Sequence, residues 1–262
     1  MWAVWAGEVG QGADPRSMRL KELVGELQQV RTWPKPKSEL EQYPTPPDIA
    51  AHMLFAVEDR DGLEGVLVAD LGCGGGILGI GAAMMGAAHV LAVDIDEQVL
   101  AVAAQNVAEF DVPVDVLGCD VLQLSIHAPA PGTDRATTGS TASGRSVGGA
   151  FDVVLMNPPF GTRPENNGLD VAFLRAGYAL CRSGGSLYTL HKTSTRAFIG
   201  KTAAELGAEG EVIAELKFEI PRMYKHHRKA SADVDVDFWR IHKPGGYEQD
   251  ETLSLIHISE PT

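Results

Sequence analysis

Phe151-Asp152-Val153-Val154-Leu155-Met156-Asn157-Pro158-Pro159-Phe160 is the stretch on which the fold turns. Its first half is an apolar, valine-rich run and reads as a buried strand. Two prolines end the run, because proline has no N–H to give to a sheet ladder. In an open α/β sheet ligands bind just outside the carboxyl ends of the strands, so Asn157 to Phe160 stand where chemistry is normally done. The Asn157 side chain offers a carbonyl acceptor, and a residue before proline is held extended. Pro158 has a carbonyl and no N–H, so it too only accepts. Two neighbouring acceptors match the two hydrogens of an exocyclic amino group. Phe160 offers a flat face on which a planar base or amide could stack. The plainer reading is a proline-rich turn over a buried phenylalanine.

Upstream, Val66 to Asp70 reads as a short buried strand feeding Leu71-Gly72-Cys73-Gly74-Gly75-Gly76-Ile77-Leu78 and a small-residue helix to Met85. Strand, glycine loop and helix in that order form the first turn of a nucleotide-binding unit: glycine lets the backbone approach a ligand, and the helix start offers free N–H groups. Val90 to Asp94 is a second strand ending in an acid. Asp94 lies 22 residues beyond Gly72, the distance at which a carboxylate accepts from ribose hydroxyls. Its competing reading is a helix cap, although Asp96 suits the cap of a helix over Glu97 to Ala108 better. Val114 to Leu117 is a third strand, followed by Cys119-Asp120-Val121. Asp120 is either a turn aspartate or an acceptor for an adenine amino group, with the Val121 N–H reaching a ring nitrogen.

Downstream, Gly161 to Gly168 reads as a polar, mobile substrate loop. A helix over Asp170 to Leu180 leads through a Gly184-Gly185 turn into a strand over Ser186 to His191. His191 and Lys192 at its end either face substrate or, as is commoner for a lone histidine, serve structure. A helix over Ala197 to Leu206 precedes two strands, Val212 to Ile220 and Val234 to Ile241, with the basic run Arg222-Met223-Tyr224-Lys225-His226-His227-Arg228-Lys229 between them. Asp233, Asp235 and Asp237 alternate with apolar residues, the pattern of a half-exposed strand. Two strands with no helix between them make a hairpin, so one runs antiparallel. The rest is βαβ repetition. The expected fold is α/β and Rossmann-like: a seven-stranded, mostly parallel sheet with a C-terminal antiparallel hairpin.

At the other end, residues 1–17 have no periodicity and read as disordered. From Met18 a helical stripe of Leu20, Leu23, Val24, Leu27 and Val30 runs to Trp33-Pro34-Lys35-Pro36. Thr45 then reads as a helix N-cap, with Pro46 at the first helical position and Asp48 completing a capping box. The polar, aromatic run Gln42-Tyr43-Pro44 ahead of it is suited to cover a ligand. Residues 18–242 form one domain. Residues 127–149, rich in Pro, Gly, Ser and Thr, read as a flexible insertion. Residues 243–262 read as unstructured, and Leu253 to Thr262 resembles translated sequencing-adaptor read-through.

The 262-residue chain carries a net charge of −13, which argues against coating nucleic acid through a general basic surface. The Arg222–Lys229 run remains a local candidate for RNA backbone, or a solvated loop. Cys73, Cys119 and Cys181 show neither metal spacing nor a paired pattern and suit a reducing compartment. No metal site is expected. The longest apolar runs fall far short of a membrane span, and the N-terminus is a poor signal peptide.

Several separate stretches resemble the methyltransferase-like protein 5 family of class I S-adenosylmethionine-dependent methyltransferases: Met18-Arg19-Leu20-Lys21-Glu22-Leu23, Leu40-Glu41-Gln42-Tyr43-Pro44-Thr45, Ala69-Asp70-Leu71-Gly72-Cys73-Gly74, Asp94-Ile95-Asp96, Met156-Asn157-Pro158-Pro159-Phe160-Gly161-Thr162, Tyr188-Thr189-Leu190-His191-Lys192 and Trp239-Arg240-Ile241. The resemblance implies N6-methylation of an adenosine in small-subunit (18S) ribosomal RNA by a heterodimer with a small zinc-ribbon activator protein, in nucleus (nucleolus) and cytoplasm. By resemblance Gln42, Thr45, Gly72, Gly75, Ile77, Asp94, Asp120 and Val121 would bind S-adenosyl-L-methionine. Asn157, Pro158, Pro159 and Phe160 would hold the target adenine, which Phe160 and Tyr43 would grip. The chain departs from the family at Gly75, where relatives carry cysteine, and in its longer 127–149 insertion. Three rivals stay open. A protein glutamine N5-methyltransferase also uses an Asn-Pro-Pro turn but usually follows it with tyrosine. A DNA adenine methyltransferase would bring a target-recognition domain, and nothing here looks like one. A non-catalytic scaffold would have lost pocket residues.

Overall fold

The computed structural model describes residues 4–5, 18–124, 149–161, 163–221 and 231–245. Eight strands form one sheet: β1 (Val4–Trp5), β2 (Leu67–Leu71), β3 (His89–Asp94), β4 (Val114–Gly118), β5 (Phe151–Met156), β6 (Cys181–Lys192), β7 (Glu209–Pro221) and β8 (Ser231–His242). Their order across the sheet is β1-β7-β8-β6-β5-β2-β3-β4. Strands β2 to β6 pair in parallel, whereas β8 runs antiparallel to both β6 and β7. This is the expected seven-stranded sheet with its terminal hairpin, extended by two residues of β1. Val4 and Trp5 pair antiparallel with Glu215 and Ala214, in a stretch whose sequence reads as disordered. The rest of residues 1–17, most of the 127–149 insertion and the Arg222–Lys229 run lie outside the described residues.

Among the described residues six α-helices cover the sheet: α1 (Leu20–Leu27), α2 (Pro47–Asp61), α3 (Ile77–Met84), α4 (Glu97–Phe110), α5 (Leu169–Leu180) and α6 (Arg196–Glu205). Alternation along the strands feeds two cores. Val153 and Leu155 of β5 join Leu23, Leu27, Met53 and Leu54 of α1 and α2 on one face. Val154 and Met156 join Leu174, Tyr178 and Ile199 of α5 and α6 on the other. Burial on both faces is why these strands read as continuous apolar runs.

Other departures from the sequence reading have local causes. Strand β6 begins at Cys181, and Gly184 and Gly185 lie inside it as an irregularity, with Gly184 at φ 78°. There the Gly184 N–H donates to the Lys243 carbonyl at 2.8 Å. Lys243 also sends Nζ to the Tyr178 and Cys181 carbonyls at 3.2 and 2.8 Å, so the ordered chain continues beyond residue 242. Asp237 is buried, because Arg196 pairs with it through Nε and Nη2, each at 2.7 Å. The half-exposed pattern of β8 therefore fails at that residue.

Candidate active site

Strands β2 and β5 are neighbours although β3 and β4 intervene in the chain. The connections run one way from β2 and the other way from β5, which makes their shared carboxyl end the switch point of the sheet. The register sets Leu71 opposite Met156. Gly72 and Asn157 therefore leave the sheet side by side. On the other flank Leu71 pairs with Val93, and Asp94 with Gly118, which brings Asp94 and Asp120 to the same level.

The glycine loop folds as its composition dictates. Gly72, Gly74 and Gly76 have φ of 68°, 56° and 85°, conformations that cost a side chain energy, and Gly76 caps α3. Asp94 accepts from the Gly74 N–H through Oδ2 and from the Asp96 N–H through Oδ1, both at 3.0 Å. Burial raises the pKa of Asp94, with partial relief from these backbone donors. Asp96 is the cap of α4, accepting from the Gln98 N–H at 3.1 Å. Asp70, at the end of β2, accepts from the Gly79 N–H at 2.8 Å and is buried. Burial pushes its carboxyl up to about 7, against the pull of that donor and with a further push from Asp94.

A cavity of about 260 Å³ opens here, lined by Gln42, Gly72, Asp94, Asp120, Val121, Asn157 and Pro159 together with Tyr43, Ile95, Leu122 and Phe173. A smaller one, of about 70 Å³, adjoins the glycine loop and is lined by Arg31, Tyr43, Thr45, Asp70, Gly72, Gly75, Ile77 and Asn157 among others. All eight residues expected to bind cofactor thus line one cavity or the other. Asn157, Tyr43 and Gly72 line both. Asp120 also accepts from the Leu122 N–H at 3.0 Å, so its turn role and its position at the cavity coexist.

Phe160 is placed otherwise than expected. It is 3 % exposed, lines neither cavity and sets its ring edge-on to Phe218 at 6.0 Å. The ring serves the core, and the aromatic side chains that share a cavity with Asn157 are Tyr43 and Phe173. His191 also serves structure. It is fully buried, with Nε2 3.2 Å from the Thr189 hydroxyl and Nδ1 3.6 Å from Asp170 Oδ2, an ion-pair distance too long for a hydrogen bond. Burial works against the charge on Asp170, but His191, the Val171 N–H and Lys192 together outweigh it and hold the carboxyl below its usual range.

The strap from Lys37 to Thr45 closes the site. Helix α2 begins at Pro47 with Pro46 as its cap, so Thr45 is not the cap that its sequence context suggests. Instead the Asn157 Nδ2 donates to Thr45 Oγ1 at 3.1 Å. Gln42 Nε2 donates to Asp96 Oδ2 at 2.8 Å, and Lys37 Nζ pairs with Asp96 Oδ1 at 2.8 Å. Glu41, left-handed at φ 48° and 4 % exposed, accepts through Oε1 from the Arg163 N–H and from Asn166 Nδ2 at 3.0 and 3.1 Å. The segment Arg163 to Asn166, read as mobile, is therefore tied to the strap. A second clamp holds the preceding linker: Asn106 of α4 accepts from the Arg31 N–H and donates to the Arg31 and Gly75 carbonyls at 3.1, 2.9 and 2.8 Å.

Sequence reasoning missed Glu41, Asn106 and Asn166, whose partners lie far away in the chain. It also missed Ile95 and Leu122, for which a signal existed. Ile95 follows the strand-end Asp94, Leu122 lies two residues beyond Asp120, and both stay exposed at the cavity.

The chain is 44 % identical over 226 residues to the rRNA N(6)-adenosine-methyltransferase METTL5 of Danio rerio, covering 86 % of this chain and 99 % of that one. It is 42 % identical to the Drosophila melanogaster rRNA N(6)-adenosine-methyltransferase Mettl5, covering 86 % and 96 %. The family model of ribosomal protein L11 methyltransferase (PrmA) matches residues 51–125, the part that carries the glycine loop and Asp94. Among solved structures, PH1948 from Pyrococcus horikoshii superposes with a TM-score of 0.69 at 30 % identity, covering 87 % of this chain and 98 % of that one.

Proposed function

The chain belongs to the METTL5 family of rRNA N(6)-adenosine methyltransferases, and on that premise we propose that it methylates N6 of an adenosine in small-subunit (18S) ribosomal RNA, with the target amino group held by Asn157 and Pro158. The observation that carries this reading is the register of β2 against β5, which sets the glycine loop and the Asn157 turn on one cavity.

The residues present fit S-adenosyl-L-methionine. Asp94 and Asp120 offer acceptors for hydroxyl and amino donors, Ile95 and Leu122 offer apolar faces for a flat ring, and the glycine loop admits close backbone approach. Buried carboxylates at Asp70 and Asp94 favour a cation nearby. When bound, the cofactor supplies an electrophilic methyl group on its sulfonium. The protein does the rest by positioning. An adenine N6 lone pair is delocalised into its ring and is a poor nucleophile. Accepting both N6 hydrogens at Asn157 Oδ1 and the Pro158 carbonyl localises that pair, aims it and stabilises the positive charge that develops on nitrogen. Proximity in a closed site supplies a further share of the rate. The amine proton, acidified by the transfer, leaves to water. The adenine is splayed from its stack, and Tyr43, in place of Phe160, gives it a face.

The partner proposed is the small zinc-ribbon activator. Strand β4 is an edge of the sheet, and Leu117 on it is 38 % exposed; an open edge of this kind is what a second chain covers. The net charge of −13 leaves this subunit little general attraction for RNA, so the partner would supply some of it. Labelled S-adenosylmethionine, offered with ribosomal RNA, a glutamine-bearing release factor and duplex DNA, with and without the activator, tests the whole reading. N6-methyladenosine in small-subunit RNA is the expected product. Label in protein would move the chain to glutamine chemistry.

A further inference from the structure

We infer that Thr45 is a positioning residue for the target amino group, acting through Asn157. This rests on the function proposed above and adds a part to it.

Two short segments face each other across the site. Thr45-Pro46-Pro47 enters α2, and Asn157-Pro158-Pro159 leaves β5. In each, a residue with a hydrogen-bonding side chain precedes two prolines. Proline fixes its own φ and restricts the residue before it to extended conformations. Both side chains therefore project from backbones with little freedom. One hydrogen bond joins them, Asn157 Nδ2 to Thr45 Oγ1 at 3.1 Å, across 112 residues of chain. Thr45 is 8 % exposed and takes no part in capping the helix that follows.

The bond has a direction that matters. The Asn157 amide has one end that donates and one that accepts. With its nitrogen turned to Thr45, the amide leaves its oxygen for the cavity. In the opposite orientation a donor would meet the donating amino group of the substrate. Acting as the acceptor in this bond, Thr45 holds the amide with its oxygen on the substrate side. The strap around Thr45 is itself tied down, by Gln42 to Asp96 and by Glu41 to Arg163 and Asn166, so the hydroxyl does not drift from its place. Asn157 is the residue that touches substrate, and Thr45 sets its amide.

The test compares Thr45→Val, which keeps the shape and removes the acceptor, with Thr45→Ser, which restores it. In Thr45→Val, kcat for adenine methylation, read at saturating S-adenosylmethionine, is expected to fall about tenfold or more. Thr45→Ser is expected to recover most of the rate. The side-chain amide protons of Asn157, assigned by their loss in Asn157→Asp, give a readout that needs no activity. One of them should be protected from exchange in the wild type and in Thr45→Ser, and lose that protection in Thr45→Val. A wild-type kcat in Thr45→Val with weakened cofactor binding would make Thr45 a cofactor contact only and overturn the inference. An unprotected amide in the wild type would overturn it too. A wild type that transfers nothing to adenine, but shows the protected amide, would instead sink the proposed function.

Discussion

On one side of the cavity Gly72, Asp94 and Asp120 stand at or within two residues of a strand end, and backbone pairing places them. On the other side Glu41, Gln42 and Thr45 sit on a strap outside the sheet, and side chains place them, through bonds to Asn166, Asp96 and Asn157. The first side is a property of the sheet. The second is a property of the whole chain, because its bonds span 125, 54 and 112 residues. The chemistry proposed for them is shared unequally: the strand-end side receives the cofactor, and the strap, which also brings Gln42 and Thr45 to the cofactor, orients the target through Asn157.

That division breaks first at Asn157. Asn157→Ala should cost about a thousandfold in methyl transfer, the scale at which a preorganised transition-state contact acts, while calorimetric cofactor affinity stays within about twofold. Parallel loss of affinity would mean that the two sides are one unit. The mirror experiment is Asp94→Ala, expected to weaken S-adenosylmethionine binding about a hundredfold through lost charge-assisted hydrogen bonds, with no effect on the protected Asn157 amide.

A smaller effect sharpens the electrostatics of the cofactor side. The folded protein holds the Asp70 proton more tightly than the unfolded chain does, since burial raises its carboxyl to about 7. Stability of the free protein should therefore decline as pH rises from about 4 to about 7 and then level off. Asp70→Asn keeps an acceptor for the Gly79 N–H, so urea melts at pH 8 should show it more stable than wild type by about 2–4 kcal/mol. Its affinity for the cationic cofactor should drop. Wild-type melts that do not change between pH 5 and pH 8 would contradict the raised carboxyl.

The strap side is probed through its clamps. Asn106→Ala removes the buried bonds to Arg31 and Gly75 and should cost about 2–3 kcal/mol, read as a lower thermal midpoint. Gly75→Ala strains the same linker from the other side. A Cβ there would meet the Arg31 carbonyl oxygen at 2.7 Å, so the backbone of the linker must shift outward, at a cost of about 1–3 kcal/mol. Limited proteolysis after Arg31 should quicken in both variants.

The same contrast explains what the sequence makes readable. The strands, the glycine loop and Asp94 follow from local pattern: an apolar run, a breaker and an acid at a fixed spacing. Asn157 was readable because prolines mark its strand end. Phe160 misled because a residue next to a site and a residue facing it look alike in sequence, and only the packing against Phe218 distinguishes them. Thr45 misled for the opposite reason. Thr before Pro-Pro-Asp is a good helix entry by local rules, yet the helix starts later and frees the hydroxyl for Asn157. Asp237 read as exposed because alternation ignores Arg196, which covers it from α6. No local signal points to Glu41, whose buried, left-handed conformation depends on Arg163 and Asn166.

The reach of the Thr45–Asn157 bond also has a consequence for how the protein is made. Thr45 is synthesised 112 residues before its partner, a wait of about 6–22 s at ordinary elongation rates. During that interval β2, β3 and β4 are already available to form, and with them the glycine loop and both strand-end acids. The strap has nothing to bind on its far side until the second half of the sheet emerges. A nascent chain thus completes its cofactor wall first and its target wall last, and a chain released early would keep Asp94 and Asp120 while lacking Asn157.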